Sequence, residues 1–261
     1  MKSAYGSAVP PFTTPAATEE LLTGGRLLRR AFLEMPARLA GRGEVIVRLG
    51  EPNPPLFQLR RGMVFSCSML PEGRRAITDL LLPFDIGCLE QTVSHHAHQD
   101  IIAASACTYR KLSSAAFREL MRNGAVALTV MSLVAEARRR MDRHVAALAR
   151  LDARERIGGL LLDIYDRLRR QEMINQPCFN LDLTQEQIGD YLGLTVVHVN
   201  RILRQLREEG LASFNRHVII IMDVERLREL VAGLPPLGNS IASADQGASG
   251  RLSGMLGVSA G

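Results

Sequence analysis

Apolar residues in this chain change their period twice. Between Thr18 and Glu34 they follow helical spacing. From Arg42 to Tyr109 they fall into short runs split by turn signals: "GEVIVRLG", "EPNPP", "LFQLRRGMVFSCSML", "PEGRR", "AITDLLL", "PFDIG" and "IIAASACTYRKL". Runs of this length and spacing predict an antiparallel sandwich or barrel. "SSAAFRELMRNG" then predicts a short helix ending at Asn123 and Gly124, followed by a long one. Within the long helix, Ala127, Met131, Val134, Arg138, Met141, Val145 and Leu148 alternate steps of four and three, the seam of a coiled coil interrupted once by charge at Arg138. The other side carries Glu136, Arg139, Arg140 and Arg143 and reads as too polar to be covered everywhere by the helix's own domain. That favours a parallel homodimer, paired through Met131, Val134, Met141, Val145 and Leu148, over a helix lying on its own chain.

The remaining pattern is helical until a short hairpin. "LDARERIGGLLLDIYDRLRRQ" predicts a helix, and "LTQEQIGDYLGLTVVHVNRILRQLREEGL" predicts two more with Gly193 between them. "LASFNRHVIIIMD" predicts two strands around Asn215 and Arg216, with a last helix starting near Asp223. Thr184 and Gln187 form a capping box at the start of the pair. Ile188, Leu192, Leu194, Val199 and Ile202 fill a small core, Gly189 lets the helices approach, and Gly193 takes a turn conformation that a Cβ disfavours. This is a winged helix-turn-helix.

Thr195 caps the second helix of the pair. Its core face uses Val199, Ile202, Leu203 and Leu206, which leaves Val197, Asn200, Arg201 and Arg204 outward, with Val196 and His198 at the N-terminal edge. That set suits a major groove. Arginine can pair with guanine O6 and N7, asparagine can reach base edges or phosphate, and valine can touch a thymine methyl. Arg207 further along the helix, and Arg216 and His217 in the hairpin, are placed for phosphates, which set register without reading sequence. Two packed helices of an unrelated domain explain each residue singly but not the joint pattern of cap, small residue, turn glycine, spaced core and wing.

Composition adds bounds. The make-up of 46% hydrophobic and 23% charged residues over 261 positions is that of a soluble globular chain of about two domains. The net charge is +5. From Leu151 to Ala232, however, 11 arginines face 13 acids, so only local placement can argue for nucleic acid. Cys67, Cys88, Cys107 and Cys178 are scattered and form no CxxC pair. Reduced cytosolic thiols are expected, and neither a signal segment nor a membrane span is read, so a cytoplasmic protein is expected. No catalytic order, phosphate loop or metal-ligand spacing stands out, and no enzyme, metal site or cofactor is expected. His95, His96 and His98 read as a solvated loop before they read as ligands, and Cys178 reads as structural before it reads as an oxidant sensor.

From about Leu21 to Ala232 the chain resembles the Crp/Fnr family of bacterial transcription regulators. The resemblance rests on "GEVIVRLGEPNPPLFQLRRGMV", "GRRAITDLLLPFDIG", the long helix running into "LDARERIGGLLLDI", and most specifically "LTQEQIGDYLGLTVVHVNRILRQLREEGL". It implies an α+β fold with an N-terminal antiparallel β-barrel, a jelly roll like the cyclic-nucleotide-binding domain. A long dimerisation helix and a C-terminal winged helix-turn-helix follow, and the arginine common in the family's recognition helices falls on Arg201. The expected division is a tail over 1–17, an effector domain over 18–124, the dimerisation helix over 125–150, the DNA-binding domain over 151–234 and a second tail over 235–261. Double-stranded DNA, a second copy of the chain and RNA polymerase are the implied partners.

Two departures bear on the signal. Nucleotide-binding members place a Gly-Glu pair on the ribose and an arginine with a small hydroxyl residue on the phosphate. Here the matching pair is Gly87-Cys88, and no Lys or Arg occurs between Ala76 and Tyr109. Cyclic AMP control is therefore not expected. Members with an iron–sulfur cluster carry N-terminal cysteines, and none precedes Cys67. Val197 stands where several members have a glutamate, so their preferred half-site does not carry over. The effector remains open, and the alternative is a cyclic-nucleotide-responsive module acting through protein contacts.

Overall fold

The computed structural model describes residues 15–90 and 94–233. The expected tails lie outside the described residues, except that 15–17 already belong to the first helix. That helix, α1 (Pro15–Leu33), opens on a proline at a position whose N–H has no intrahelical partner. The remaining helices are α2 (Ser114–Leu120), α3 (Gly124–Arg150), α4 (Ala153–Arg170), α5 (Gln185–Leu192), α6 (Val196–Glu208) and α7 (Val224–Leu230). The strands are β1 (Ala37–Ala40), β2 (Val45–Val47), β3 (Leu56–Arg61), β4 (Val64–Met69), β5 (Arg75–Leu81), β6 (Ile86–Gly87), β7 (Asp100–Ala103), β8 (Cys107–Leu112), β9 (Cys178–Asn180), β10 (Ala212–Asn215) and β11 (Val218–Ile221).

Two four-stranded antiparallel sheets, ordered β1-β8-β3-β6 and β2-β7-β4-β5, form the N-terminal roll. They share a core of Val47, Phe57, Leu59, Val64, Ala103 and Tyr109. The roll is therefore two facing sheets, not a closed barrel. A second core lies on the far side of β4 and β5. There Phe65, Cys67, Ile77 and Leu80 join Leu161 and Ile164 of α4, and the cluster continues through Ile188, Val199, Leu206 and Ile219 of the C-terminal unit. Strands β4 and β5 thus bury both faces, which is why "VFSCSML" and "AITDLLL" lack a clean alternation.

One charge sits inside this junction. Arg167 of α4 is buried, pairs with Asp85 of the roll and with Asp163 one turn back at 3.3 Å, and donates to the Leu80 carbonyl at 2.8 Å. Nearer the surface, Arg75 of β5 holds Asp190 of α5 at 2.6 Å. His144 of α3 stacks on Tyr191 of α5, with ring centroids 4.1 Å apart, and burial holds its imidazole below the ordinary pKa.

Several elements differ from the sequence reading. Asn123 does not end a helix; its Oδ1 accepts from the Ala125 and Val126 amides and starts α3. Strands β1, β6 and β9 were not expected. Each has two to four residues, too few to establish a period, and each exists because a partner strand holds it. The polar side of α3 is largely satisfied inside the chain, contrary to expectation. Glu136 is buried and paired with Arg139, and Arg140 pairs with Asp79 at 3.4 Å.

Replacing Arg167 with Met would leave Asp85 and Asp163 in a dry junction without their cation. Urea unfolding of R167M should show a loss of about 3–5 kcal/mol, against less than about 1 kcal/mol for loss of the exposed Arg30–Glu34 pair.

Candidate nucleic-acid interface

The helix pair is built locally. Thr184 Oγ1 accepts from the Gln187 amide at 3.1 Å while Gln187 Oε1 accepts from the Thr184 amide at 2.8 Å, closing the expected capping box. Gly193 ends α5 at φ 66°, ψ 39°, the left-handed region. A Cβ on Gly189 would sit 2.4 Å from the Leu194 carbonyl oxygen, so only glycine permits the approach. Thr195 then accepts from the His198 amide at 3.3 Å and starts α6. These contacts, all between Thr184 and His198, fix the entry direction of α6.

Helix α6 has two clearly separated sides. Val199, Ile202, Leu203 and Leu206 are buried. Val196, Val197, His198, Asn200, Arg201 and Arg204 are exposed, Val197 to 75%. Asn200 donates to the Val196 carbonyl at 3.2 Å, a weak local bond that a base edge can replace. Arg204 pairs with Glu208 at 2.8 Å in full solvent, a contact of little net value. Among the described residues no acid lies within ion-pair reach of Arg201. The turn between β10 and β11 presents Arg216 and His217, both exposed. Arg216 adopts φ 55°, a left-handed conformation unfavourable for a residue with a Cβ.

The seam residues of α3 are also open to water. Met131 is 69% exposed, and Val134, Met141 and Val145 are exposed as well, while Leu148 is half-buried. A cavity of about 280 Å³ lies between α3 and the roll. It is lined by Gly87, Cys88, Glu90 and Gln99 from the roll and by Arg138 and Arg140 from α3. These two arginines were missed from the sequence because they lie far from the roll in the chain. Both are already paired, Arg138 with Asp142 at 2.8 Å and Arg140 with Asp79. Burial, reinforced by Glu90 and Glu51, pushes the Cys88 thiol up to about 12, so it is a neutral group. Elsewhere, His95 contacts Asn53 Oδ1 at 3.5 Å, and among the described residues no three His, Cys, Asp or Glu side chains are placed to hold a metal ion.

Comparison with known proteins agrees with this geometry. Residues 155–230 match the model of the Crp-like helix-turn-helix domain. The nitrogen fixation regulation protein FixK of Rhizobium meliloti is 29% identical over 72% of this chain and 83% of its own length. The transcriptional activator protein FnrL of Cereibacter sphaeroides is 29% identical over 72% of this chain and 77% of its own. The structure of FixK2 from Bradyrhizobium japonicum superposes with a TM-score of 0.68 at 28% identity, covering 75% of this chain and 96% of that one. Residues 155–230 thus match a Crp-like helix-turn-helix domain, and the chain is similar over about three quarters of its length to regulators of the Crp/Fnr family. It is a DNA-binding transcription regulator of the Crp/Fnr type. The matched helix-turn-helix segment runs from α4 to α7 and contains every exposed α6 residue described above. No single helix among the described residues is long and apolar enough to cross a membrane.

The wing tip yields a test. Glycine adopts the Arg216 conformation without the cost of about 1 kcal/mol that a side chain incurs there. R216G should therefore keep or raise the melting temperature while weakening DNA binding and lowering the slope of log K against log salt by about one. Lower thermal stability with unchanged DNA affinity would remove Arg216 from the interface.

Proposed function

We propose that the protein reads a near-palindromic operator as a parallel homodimer, with α6 of each copy in a major groove. The observation that carries the reading is the inverted dress of α3. Its polar side is paired within the chain, whereas its apolar seam of Met131, Val134, Met141 and Val145 stands in water. A second copy laid along that seam, with Leu148 at its end, removes the apolar surface from solvent. A two-fold axis then sets the half-sites about one helical turn, roughly 34 Å, apart.

Roles divide along α6. Arg201 reads a base, Val196 and Val197 contact thymine methyls, and Asn200 reaches a base edge or phosphate. His198, Arg204 and Arg216 hold phosphates, and Thr195 fixes the start of the helix. RNA polymerase is the partner through which bound protein changes transcription, and the cytoplasm is where its DNA lies. The cavity between α3 and the roll does not suit a cyclic phosphate: it offers Glu90, Asp79 and a neutral Cys88, and Arg140 is held by Asp79. Cyclic AMP is therefore not its signal. Nor is an iron–sulfur cluster, since among the described residues the cysteines do not converge into a ligand group.

Selection of bound sequences from a random duplex pool, with and without cyclic nucleotides, tests the reading directly. A two-fold symmetric motif that is indifferent to nucleotide is expected; no enrichment, or enrichment only with nucleotide, overturns it. On the selected site R201A should lose about 1–3 kcal/mol and relax one base position per half-site. Equal loss on random DNA would assign Arg201 to phosphate instead. Substituting Met141 and Val145 together by Glu changes exposed side chains and should leave the fold intact. Sedimentation should then report a monomer, with affinity for the full site down by about 100-fold or more.

A further inference from the structure

Helix α3 carries the seam and α6 carries the reading side chains, and one side chain spans the gap between their supports. Arg156, one turn into α4, donates Nε to the Leu151 carbonyl at 2.9 Å and Nη2 to the Leu148 carbonyl at 2.9 Å. Its Nη1 donates to the Leu192 carbonyl at 3.2 Å. The first two oxygens lie at the C-terminal end of α3, and the third ends α5. Helix ends leave such carbonyls without backbone donors, and a planar guanidinium supplies charged donors in fixed directions. The turn of the helix pair rests on this contact. A Cβ on Gly193 would lie 3.9 Å from Arg156 Nη1 and 3.9 Å from Leu148 Cδ2. Thr195, the cap of α6, follows two residues later.

We infer that Arg156 is a positioning residue that sets which half-site spacing the dimer accepts. The inference rests on the two-fold reading proposed above. Arg156 touches no DNA; it fixes the end of α5, and so the start of α6, against the end of the seam helix. Spacing is sensitive to this because one base pair shifts the second half-site by about 3.4 Å and about a tenth of a turn. Releasing the tether lets each reading helix swing relative to the two-fold axis without changing its own side chains.

The test uses full-length protein and duplexes carrying two copies of the half-site recovered by the random-pool selection, with their separation varied one base pair at a time. A duplex with a single half-site serves as reference. Wild type should prefer one spacing over its neighbours by about tenfold, and R156M should flatten this to about twofold while matching wild type on the single half-site to within about twofold. R156K, whose ammonium cannot span three carbonyls in one plane, should also broaden the preference and provides the reading if R156M does not fold. A sharp preference retained by the folded variants overturns the inference alone, as does an equal loss on every duplex, which would make Arg156 merely structural. A wild type indifferent to spacing overturns the two-fold reading and the inference with it.

Discussion

The arrangement of this molecule depends on a strand pair that is dry on both sides. Strands β4 and β5 give one face to the roll and the other to α4 and the helix-turn-helix, so the core of the C-terminal unit runs on without a break into the roll. Apolar contact alone would let such units slide, because it has no direction. Buried Arg167 supplies direction: it needs Asp85 from the roll, Asp163 from its own helix and the Leu80 carbonyl at once. Few placements satisfy all three, and any placement that satisfies fewer leaves a charge in a dry junction. The position of α5, and with it α6, is thereby tied to the roll.

Helix α3 stands between these units, and its side chains show how a polar helix face can be covered. Glu136, Arg139 and Arg140 find partners on their own turn or on β5, so the face that looks solvated in sequence becomes an internal joint. Asp79 and Arg140 form one wall of the 280 Å³ cavity and also line a much smaller polar space shared with His144, Asp163, Arg167 and Tyr191. The Asp79–Arg140 ion pair therefore lines both spaces.

How much of this was legible in sequence follows from the range of each interaction. The capping box at Thr184, the glycines at 189 and 193, the cap at Thr195 and the outward set on α6 are decided by neighbours close in the chain, and the structure has them as read. The strand segments of the roll were legible by their turn signals, but β1, β6 and β9 depend on partners distant in the chain. The same holds for Arg156, which looks like any helix-surface arginine until the ends of α3 and α5 converge on it. Asn123 was misassigned because it can follow one helix or cap the next, and only the direction of its side chain decides. Strain at Arg216 has no sequence signature, since nothing in "FNRHV" announces a left-handed arginine.

The near-neutral charge of the C-terminal unit is the remaining puzzle for a DNA reader, and its resolution lies in where the acids go. Of the 13 between Leu151 and Ala232, Asp163, Asp166, Asp190 and Glu209 are tied to Arg167, Arg228, Arg75 and Arg154. Asp152, Glu155 and Asp223 are engaged at helix starts. One of those neutralising arginines, Arg75, belongs to the roll and lies outside the count. Seven of the 13 acids are thus held at joints and caps, whereas Arg201, Arg207 and Arg216 stand exposed on α6 and the wing, and Arg204 has only the weak exposed pair with Glu208. A phosphate approaching that side meets a local positive field that composition averages away. The same segregation explains why the charge of the whole unit carries no information about its partner while the charge of one helix face does.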